Sequence, residues 1–592
     1  MSDDVETAQV TDVNEEPRIG VFVCHCGHNI AGVVDVADVA ATAAKYPHVV
    51  FTTHEMFTCS DAGQETIRQS VKEYNLNRVI VASCSPRMHE ATFRRVVEEA
   101  GINRYLFEQV NLREHVSWCH MREPEAATAK AKDLIRMAVA RSANLQALPI
   151  KKVDIAPRAL IVGGGIAGLR ASLDVADRGF DVVLVEREPE LGGNVRKWSH
   201  MFPGDNPGNV VLAPLIERVN KHKRIKVHTG ANVESFEGYV GNFDVEIGVF
   251  GQKSPKKYQV GTVIVTTGFQ PYVPDGLYSY GKTPDIMTLA ELQSRSEEEQ
   301  YIRPSDGKPV KKVAFIGCVG SREPGVKGHE HCSRYCCSAL AKTAGIMADK
   351  LDEALILYQD IRTYGKDHEE FQRVARSKHV IYTKFPTEKK PEVDYKRGKI
   401  VMKWKDVLAD MDLEFYPDIV VLASAMVPPE GIEESSHLFS LTRSSDGFFN
   451  PEHVKLNPLT THSAGVMIAG AAQAAKNASE SVIDASGAAA KAVGLMAKGA
   501  VEIESTVSRV NPDLCSSCAT CISACPYHAI SWDESRDPHV ATVTEAKCHG
   551  CGTCAAACPS NAITMLHSTN EQILSMVQAY LLPVPVIQGG SK

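Results

Sequence analysis

A duplicated cysteine motif near the carboxyl end constrains this chain more than any other feature. Residues 514–526 and 547–559 each contain the pattern C-x2-C-x2-C-x3-C-P, with the copies 33 residues apart. An Ala-Ile pair follows each copy, at 529–530 and 562–563. Three cysteines of one short loop can converge on a single iron–sulfur cubane. The repeat therefore predicts a small domain, at 508–567, that folds around two metal clusters.

The spacing also divides the eight cysteines between the two clusters. In bacterial two-cluster ferredoxins, the fourth cysteine of each run ligates the other [4Fe–4S] cluster. A zinc module is the alternative, but zinc sites do not need eight cysteines in a duplicated pattern. The expected ligands are Cys515, Cys518, Cys521 and Cys558 for the first cluster, and Cys548, Cys551, Cys554 and Cys525 for the second.

Composition places the chain among multidomain globular proteins. Its 592 residues are 44% apolar and carry a net charge of −8, which excludes disorder as the main state and gives no basic excess for nucleic acid or an anionic membrane. No run of eighteen apolar residues predicts a membrane helix, and the acidic N-terminal segment does not resemble a secretory signal. We therefore expect a cytoplasmic chain, whose 17 clumped cysteines indicate metal ligation or redox chemistry rather than disulfides.

A glycine-rich turn between a predicted strand and a predicted helix indicates dinucleotide binding. Gly163, Gly165 and Gly168 form G-x-G-x-x-G, which lets a pyrophosphate approach a helix N-terminus. Glu186, at the end of the next strand, can accept hydrogen bonds from a ribose. The segments LGGN and TTG favour FAD over NAD, whereas AGAAQ either contacts the flavin or packs as an ordinary helix. The other expected cofactor-binding residues are Gly192, Gly193, Asn194, Thr267, Gly268, Gly470 and Gln473.

A second Rossmann-like strand begins near residue 313, but the turn after it is unsuited to a nucleotide. Cys318 lies where a phosphate-binding loop would begin, and Cys332, Cys336 and Cys337 follow it. Four cysteines after one strand predict another cluster, with scattered buried thiols as the alternative. No C-x-x-C pair lies here, although a flavin-linked disulfide reductase would need one.

The N-terminal part of the chain alternates apolar strands with amphipathic helices, which predicts a parallel α/β sheet. Cys24 and Cys84 end predicted strands, Cys26 follows the first, and Cys59 lies in the loop after the second. Ligands gather at the carboxyl edge of such a sheet. The four cysteines are therefore expected to bind a further [4Fe–4S] cluster, unless some are simply buried hydrophobes. Four clusters would use sixteen cysteines and leave Cys119 as the spare.

Together these motifs resemble the family formed by the A subunits (iron–sulfur flavoproteins) of heterodisulfide reductase in anaerobic archaea and bacteria. The resemblance covers residues 17–567 and is carried by CHCGHNI, CSDAGQ, ASCSPRMHEATFR, NLREHVSW, VGGGIAGLRAS, ELGGN, GCVGSRE, CSRYCC, GAAQ and the ferredoxin repeats. It implies thioredoxin-reductase-like FAD/NAD(P)-type Rossmann domains, with an N-terminal parallel α/β domain and a C-terminal two-cluster ferredoxin domain. It also implies a catalytic role near the flavin for Lys342, for which a solvent-exposed helix position is the alternative.

The expected α/β multidomain organisation has seven segments. They are a flexible tail (1–16), an N-terminal α/β iron–sulfur domain (17–146), a linker (147–158), a discontinuous FAD-binding domain (159–284 and 440–498), a second Rossmann-like domain with the cluster motif (285–439), the ferredoxin domain (508–567) and a C-terminal tail (568–592).

The family resemblance also implies a function and a set of partners. It implies an oxidoreductase acting on sulfur groups, which takes electrons from a hydrogenase or formate dehydrogenase through a small iron–sulfur protein. Flavin-based bifurcation would send them to the heterodisulfide of coenzymes M and B, on a partner protein, and to ferredoxin. The implied partners are heterodisulfide reductase subunits B and C, these donors, ferredoxin and a second copy of the chain. A non-bifurcating electron conduit and an NAD(P)H:ferredoxin oxidoreductase remain alternatives, although the turn at Cys318 argues against the latter.

Overall fold

The computed structural model describes residues 16–326 and 329–581, which divide into two compact units. Unit 1 joins the N-terminal 152 residues to the chain from residue 502 onwards, and unit 2 comprises residues 153–501. The predicted N-terminal tail lies outside the described residues except for Glu16, and the predicted C-terminal tail lies outside them from residue 582. No helix of the described ranges is both long and apolar enough to cross a membrane.

Unit 1 begins with a four-stranded parallel sheet. In spatial order its strands are Val49–Glu55, Ile19–Cys24, Arg78–Ser83 and Phe107–Asn111. All six residues of Ile19–Cys24 are buried, since a parallel sheet is covered by helices on both faces. The α-helices here are His28–Ala31, Val36–Ala43, Asp61–Glu73, Pro86–Glu99 and Pro124–Ala143, and shorter helical turns are Arg104–Leu106 and Arg113–Ser117. The parallel α/β prediction is confirmed.

Polar side chains start the helices that cover this sheet. Asp35, Ser60 and Ser85 each accept a hydrogen bond from a backbone N–H in the first turn of the helix that follows. Such caps satisfy donors that have no partner within the helix. They fix where each helix begins, and therefore where the preceding loop must leave the carboxyl edge of the sheet.

Unit 2 contains two five-stranded parallel sheets. In spatial order the first consists of Val466–Ile468, Thr262–Val265, Arg158–Val162, Asp181–Val185 and Ile225–His228. Its helices are Ile166–Ala176, Gly193–Lys197, Gly208–Lys221, Gly470–Ala472 and Ala478–Met496, and its antiparallel layer is Ala231–Tyr239, Asn242–Val249 and Lys256–Val260. Because Val466–Ile468 pairs with Thr262–Val265, this sheet is completed only after the second domain has been inserted.

The second sheet of unit 2 repeats this plan. In spatial order its strands are Ile286–Thr288, Ile419–Ser424, Lys312–Val319, Glu353–Tyr358 and Ile381–Lys384. The helices are Leu289–Ser294, Glu299–Tyr301, Cys336–Met347, Ala348–Lys350 and His368–Ser377, and the antiparallel layer is Glu392–Lys396, Lys399–Asp406 and Met411–Phe415. The helix Ile432–Leu438 follows the last strand of this sheet in the chain but packs in the core of the first sheet. Gln270–Pro271 pairs with Met426–Val427 between the two domains of this unit.

The carboxyl part of unit 1 is built from two short antiparallel strand pairs. Ser508–Val510 pairs with Ile563–Met565, and Ile530–Asp533 pairs with Val540–Val543. Its short helices are Pro512–Leu514, Thr520–Ala524, Glu545–Lys547 and Thr553–Ala557. The last helix, Asn570–Leu581, packs on Pro124–Ala143 of the N-terminal sheet domain.

Candidate functional site

A cavity of about 380 Å³ lies at the carboxyl ends of the first sheet of unit 2. Such a volume is within the usual range for pockets that bind small molecules and cofactors. The walls contain eight of the predicted cofactor-binding residues: Gly163, Gly165, Glu186, Gly192, Gly193, Asn194, Thr267 and Gly268. The structure thus brings together the glycine-rich turn, the end of the second strand and the LGGN and TTG segments.

The remaining three predicted residues lie behind the cavity wall. A Cβ on Gly168 would lie 1.8 Å from the carbonyl oxygen of Gly163, so this glycine permits the tight turn rather than touching a ligand. Gly470 adopts a φ of +65° and packs against Ala167. The Gln473 side chain donates to the Pro458 carbonyl and accepts from Lys476. Of the AGAAQ segment, Ala471 lines the cavity.

The residues around this cavity fit a flavin dinucleotide. Gly165 and Gly268 have open space where a Cβ would be, so a ligand can reach the backbone there. Thr267 Oγ1 is buried and has no hydrogen-bond partner within the described residues. Buried hydroxyls normally have a partner, and a bound group in the cavity would provide one.

Glu186 both braces the glycine turn and faces the cavity. Its Oε2 accepts a hydrogen bond from the Gly164 N–H at 2.5 Å, and its Oε1 accepts one from the Glu188 N–H at 2.8 Å. A carboxylate has about four lone-pair sites, so acceptor capacity is left for a ribose hydroxyl.

The second sheet of unit 2 gathers four cysteines. Cys318 is the last residue but one of the strand Lys312–Val319 and has a φ of +60°, and Cys336 and Cys337 begin the helix Cys336–Met347. Burial, followed by the charge of Cys337, raises the pKa of the Cys318 thiol to about 11, and Cys332 adds to the effect. Burial also raises the pKa of Cys336, which interacts with all three other thiols. Thiols whose pKa is raised in this way stay protonated at neutral pH unless a metal ionises them, as iron in a cluster does.

The carboxyl edge of the N-terminal sheet gathers a second quartet, namely Cys24, Cys26, Cys59 and Cys84. Burial raises the pKa of Cys84 to about 11, and the nearby Cys26, Cys24 and Cys59 thiols act in the same direction. The Cys26 N–H donates to Cys24 Sγ at 3.3 Å. Cys119 stands apart, because it is exposed and its thiol donates to the Glu114 carbonyl oxygen at 3.0 Å.

The ferredoxin-type cysteines surround two small pockets. One pocket is lined by Cys515, Cys518, Cys521 and Cys558, and the other by Cys525, Cys548, Cys551 and Cys554. Each pocket therefore takes three cysteines from one repeat and one from the other. In the part of the chain that the structure describes, no three His, Cys, Asp or Glu side chains are placed to hold a single metal ion. The four cysteines around a four-iron cubane lie farther apart than the ligands of a single metal ion.

The two repeats also make equivalent hydrogen bonds to cysteine sulfur atoms. Ala529 N–H donates to Cys525 Sγ at 3.4 Å, and Ala562 N–H donates to Cys558 Sγ at 3.3 Å. The Ala-Ile pair after each motif thus supplies a backbone donor to the cysteine that crosses to the other pocket. Hydrogen bonds to the sulfurs are one of the factors that set cluster potentials.

Lys342 lies on the helix that begins with Cys336, and it is 7% exposed. Its Nζ donates to the carbonyl oxygens of Met201 and Gly204 and pairs with Asp205 at 2.7 Å. Met201 and the neighbouring Phe202 line the cavity, whereas Lys342 is not among the lining residues that the structure describes there. The structure therefore connects Lys342 to the cavity through the 201–205 segment, and its direct role at the flavin stays a prediction.

Four residues with a clear place in these sites were not predicted. Lys476 lines the cavity and is held by Gln473 and Asp484, and Tyr335 lines it beside Cys336. Arg113 and Arg322 lie beside the two cysteine quartets. Both arginines lie inside motifs that carry the family resemblance, NLREHVSW and GCVGSRE. Their place in these motifs is the sequence feature from which a role beside the cysteines could have been predicted.

Two segments of the chain match known family models. Residues 514–570 match the family model of a 4Fe-4S dicluster domain, and residues 161–218 match that of an NAD(P)-binding Rossmann-like domain. The predicted FAD and the two predicted [4Fe–4S] clusters of the ferredoxin domain are thereby confirmed, whereas the clusters at the other two cysteine quartets stay predictions. Among solved structures, Lactococcus lactis thioredoxin reductase aligns with a TM-score of 0.42 at 17% identity, over 58% of this chain and 99% of that one. A similarity of that size supports no conclusion about function.

Curated relatives match nearly the whole chain. The A subunit of the H(2):CoB-CoM heterodisulfide,ferredoxin reductase of Methanothermobacter marburgensis is 40% identical, over 96% of this chain and 98% of its own. The iron-sulfur A subunit of the CoB--CoM heterodisulfide reductase of Methanocaldococcus jannaschii is 35% identical, over 95% and 98%. The resemblance deduced from the motifs is confirmed, and this chain belongs to the family of heterodisulfide reductase A subunits, the flavin- and iron–sulfur-containing electron-transfer components of an oxidoreductase that acts on sulfur groups.

Proposed function

We propose that this chain distributes electrons within a heterodisulfide reductase complex by flavin-based bifurcation. A hydrogenase or formate dehydrogenase supplies the electrons through a small iron–sulfur protein. One branch leads to the heterodisulfide of coenzymes M and B, on subunits B and C, and the other leads to ferredoxin. A relative from Methanococcus maripaludis, named as the A subunit of an H(2)/formate:CoB-CoM heterodisulfide,ferredoxin reductase, supports this division.

One observation carries the proposal: the cavity wall and a cysteine quartet share adjacent residues. Tyr335 lines the cavity, is 5% exposed and donates from its hydroxyl to the Ser424 carbonyl oxygen at 3.0 Å. Its neighbour Cys336 is 6% exposed and belongs to the quartet. A single peptide bond therefore separates the two sites, which favours electron exchange between them.

The chain's own residues bind and enclose the cofactors. FAD supplies electron exchange singly or in pairs, whereas each cubane exchanges one electron at a time. The cavity holds the dinucleotide on the glycine turn and excludes water with apolar and aromatic side chains. The ring of Trp198 meets that of Tyr335 edge-on, with centroids 5.9 Å apart, and Phe202 lies on the same wall.

The second Rossmann-like domain gives no support to the NAD(P)H alternative. Its strand Lys312–Val319 is followed, among the described residues, by a helix that begins only at Cys336, so no tight strand–turn–helix there presents a helix N-terminus to a pyrophosphate. A Cβ on Gly320 would lie 2.2 Å from the Tyr272 ring, which shows that this ring packs against the turn.

The test uses the complex purified without oxygen. Iron and flavin analysis should give about sixteen irons and one FAD for each copy of this chain, as four cubanes require. With hydrogen or formate as donor, ferredoxin should be reduced only while the heterodisulfide is also being reduced. Heterodisulfide reduction that proceeds at full rate without ferredoxin would instead favour the non-bifurcating conduit. Rapid flavin reduction by NAD(P)H in the isolated chain would favour the NAD(P)H:ferredoxin oxidoreductase.

A further inference from the structure

We infer that two arginine–carboxylate pairs, Arg113–Glu114 and Arg322–Asp360, set the reduction potentials of the two clusters outside the ferredoxin domain. The inference deepens the proposed function, because it rests on both quartets ligating a [4Fe–4S] cluster. It assigns these two clusters to the higher-potential part of the chain and leaves the ferredoxin pair as the lower-potential part. In each pair the arginine raises the reduction potential of the cluster, and the carboxylate limits the size of that increase.

Arg322 places a buried positive charge beside the Cys318 quartet. Its side chain is 15% exposed, and its Nη2 is anchored on Asp360 Oδ2 at 2.6 Å. Its Nη1 is buried and has no hydrogen-bond partner within the described residues. The guanidinium acts electrostatically on Cys318 and Cys337. One end of the guanidinium is therefore held by a carboxylate, and its positive charge acts on the thiols.

Asp360 is bound to the same quartet from the other side. The Cys337 thiol donates to its backbone carbonyl oxygen at 3.7 Å, and Lys384 Nζ lies 3.3 Å from its Oδ1. The carboxylate therefore stays near the cluster position when its contact with Arg322 is lost. Removing either member of the pair changes the charge beside the quartet with little change in backbone support.

Arg113 has the same arrangement at the N-terminal quartet. Its side chain is 14% exposed, its Nη1 lies 3.5 Å from Cys26 Sγ, and its Nη2 lies 2.7 Å from Glu114 Oε1. The guanidinium also lies over the Trp118 ring, 5.0 Å from the centroid. Glu114 Oε2 is buried without a hydrogen-bond partner among the residues that the structure describes. Two unrelated folds in this chain therefore present the same charge pair to a cysteine quartet.

The ferredoxin pockets lack an arginine–carboxylate pair of this kind. Across the described chain, no arginine or lysine lines either pocket. Their sulfurs contact hydroxyl groups and backbone N–H groups instead, such as Thr520 at 3.3 Å from Cys518 and Thr553 at 3.4 Å from Cys551. The four sites thus fall into two classes, according to whether a full positive charge lies beside the thiolates.

Electrostatics fixes the direction of the effect. Reduction adds one electron to a cluster and breaks no ligand bond, so the site becomes more negative by one charge. A nearby positive charge favours that state, more strongly in a buried site than in water, and a negative charge opposes it. The arginine and its carboxylate must therefore act in opposite directions.

The experiment is a redox titration of the intact, anaerobically purified chain, with dithionite as reductant and electron paramagnetic resonance as readout. The variants are Arg322→Gln and Asp360→Asn, with Arg322→Lys as the conservative rescue and Arg536→Gln, at an exposed ion pair of the ferredoxin domain, as the control. At the solution potential where the native cluster is half reduced, we expect Arg322→Gln to lower the ratio of reduced to oxidised cluster at least tenfold. That change equals 59 mV for a one-electron couple. Asp360→Asn should raise the ratio, and the lysine and control variants should stay near the native value.

The same design applies to Arg113→Gln and Glu114→Gln at the other quartet. The inference is overturned if the arginine and carboxylate variants shift the potential in the same direction, or leave it unchanged, while iron content stays native. If Arg322→Gln loses iron, Asp360→Asn decides, since it removes the carboxylate charge and keeps the arginine in place. These potentials do not depend on the coupling of ferredoxin to heterodisulfide reduction. Uncoupled turnover would contradict the proposed function and leave the charge-pair result standing.

Discussion

Replacing His567 with glutamine should remove an acid-sensitive contribution to the stability of unit 1. His567 Nε2 donates to the Tyr105 carbonyl oxygen at 2.9 Å, so its Nδ1 is the unprotonated nitrogen that accepts from Arg141 Nη2 at 3.1 Å. Burial, and then the Arg141 guanidinium, lower the pKa of His567 from 6.5 to about 4. A proton on Nδ1 would meet a positive charge, which is the physical cause of the second effect.

The sign and the magnitude follow from these two values. The unfolded chain binds the proton near pH 6.5 and the folded chain near pH 4, so the unfolded state binds more protons between them. The contribution is therefore complete above pH 6.5 and is lost as the pH falls towards 4. A difference of about 2.5 pH units, at roughly 1.4 kcal/mol each, gives about 3.5 kcal/mol. About 1 kcal/mol of this is lost between pH 7.5 and pH 5.5.

Native-state hydrogen exchange, measured by mass spectrometry on the cluster-loaded protein, can test this without unfolding the whole chain. The amides of the strand Phe107–Asn111 should report the opening of unit 1. Glutamine can donate to Tyr105 and accept from Arg141 but does not titrate, and the exposed His539→Gln is the matched control. The native protein and the control should each lose about 1 kcal/mol more protection than His567→Gln between pH 7.5 and 5.5. An equal loss in all three would refute the reasoning.

Three further predictions concern the cofactor sites. Gly168→Ala should abolish FAD binding, because its Cβ would lie 1.8 Å from a backbone oxygen, whereas Gly494→Ala, where the space is open, should keep a native flavin absorbance. Iron analysis should show native content in Cys119→Ser and a loss of up to about four irons in Cys84→Ser, as one cubane contains. Lys342→Met should weaken FAD retention at least tenfold (about 1.4 kcal/mol), measured by flavin release on dilution, because the 201–205 segment loses its anchor.

Local motifs explain why so much of the fold and site could be predicted. Three of the four cysteines in each ferredoxin pocket, and the turn from Gly163 to Gly168, lie within a few residues of one another, so their spacing carries most of the geometry. The fourth cysteine followed from the duplication of the motif. The N-terminal quartet needed one further rule, that ligands gather at the carboxyl edge of a parallel sheet. Its members come from three loops, and the sheet order supplied their proximity.

The residues that were missed depend on packing between distant segments. Arg322 meets Asp360 across 38 residues, and Arg113 reaches Cys26 across 87. No periodicity or spacing encodes such pairs. Gln473 is the opposite case, a predicted residue that lies elsewhere. Its place in the AGAAQ motif predicted a contact with the flavin, but its side chain binds Pro458 and Lys476 instead.

Unit 1 is built from two segments that lie far apart in the chain, and this affects how it can fold during synthesis. Arg141 contacts His567 across 426 residues, and the helix Asn570–Leu581 packs on Pro124–Ala143. At roughly 5–20 residues per second, the ribosome needs about 20–70 s to make the intervening 153–501 before the second half of unit 1 emerges. For that interval the nascent N-terminal sheet lacks the partner that covers Pro124–Ala143. Unit 1 can therefore be completed only after translation has passed through unit 2. Until then, the N-terminal sheet must be stabilised by its own hydrophobic core.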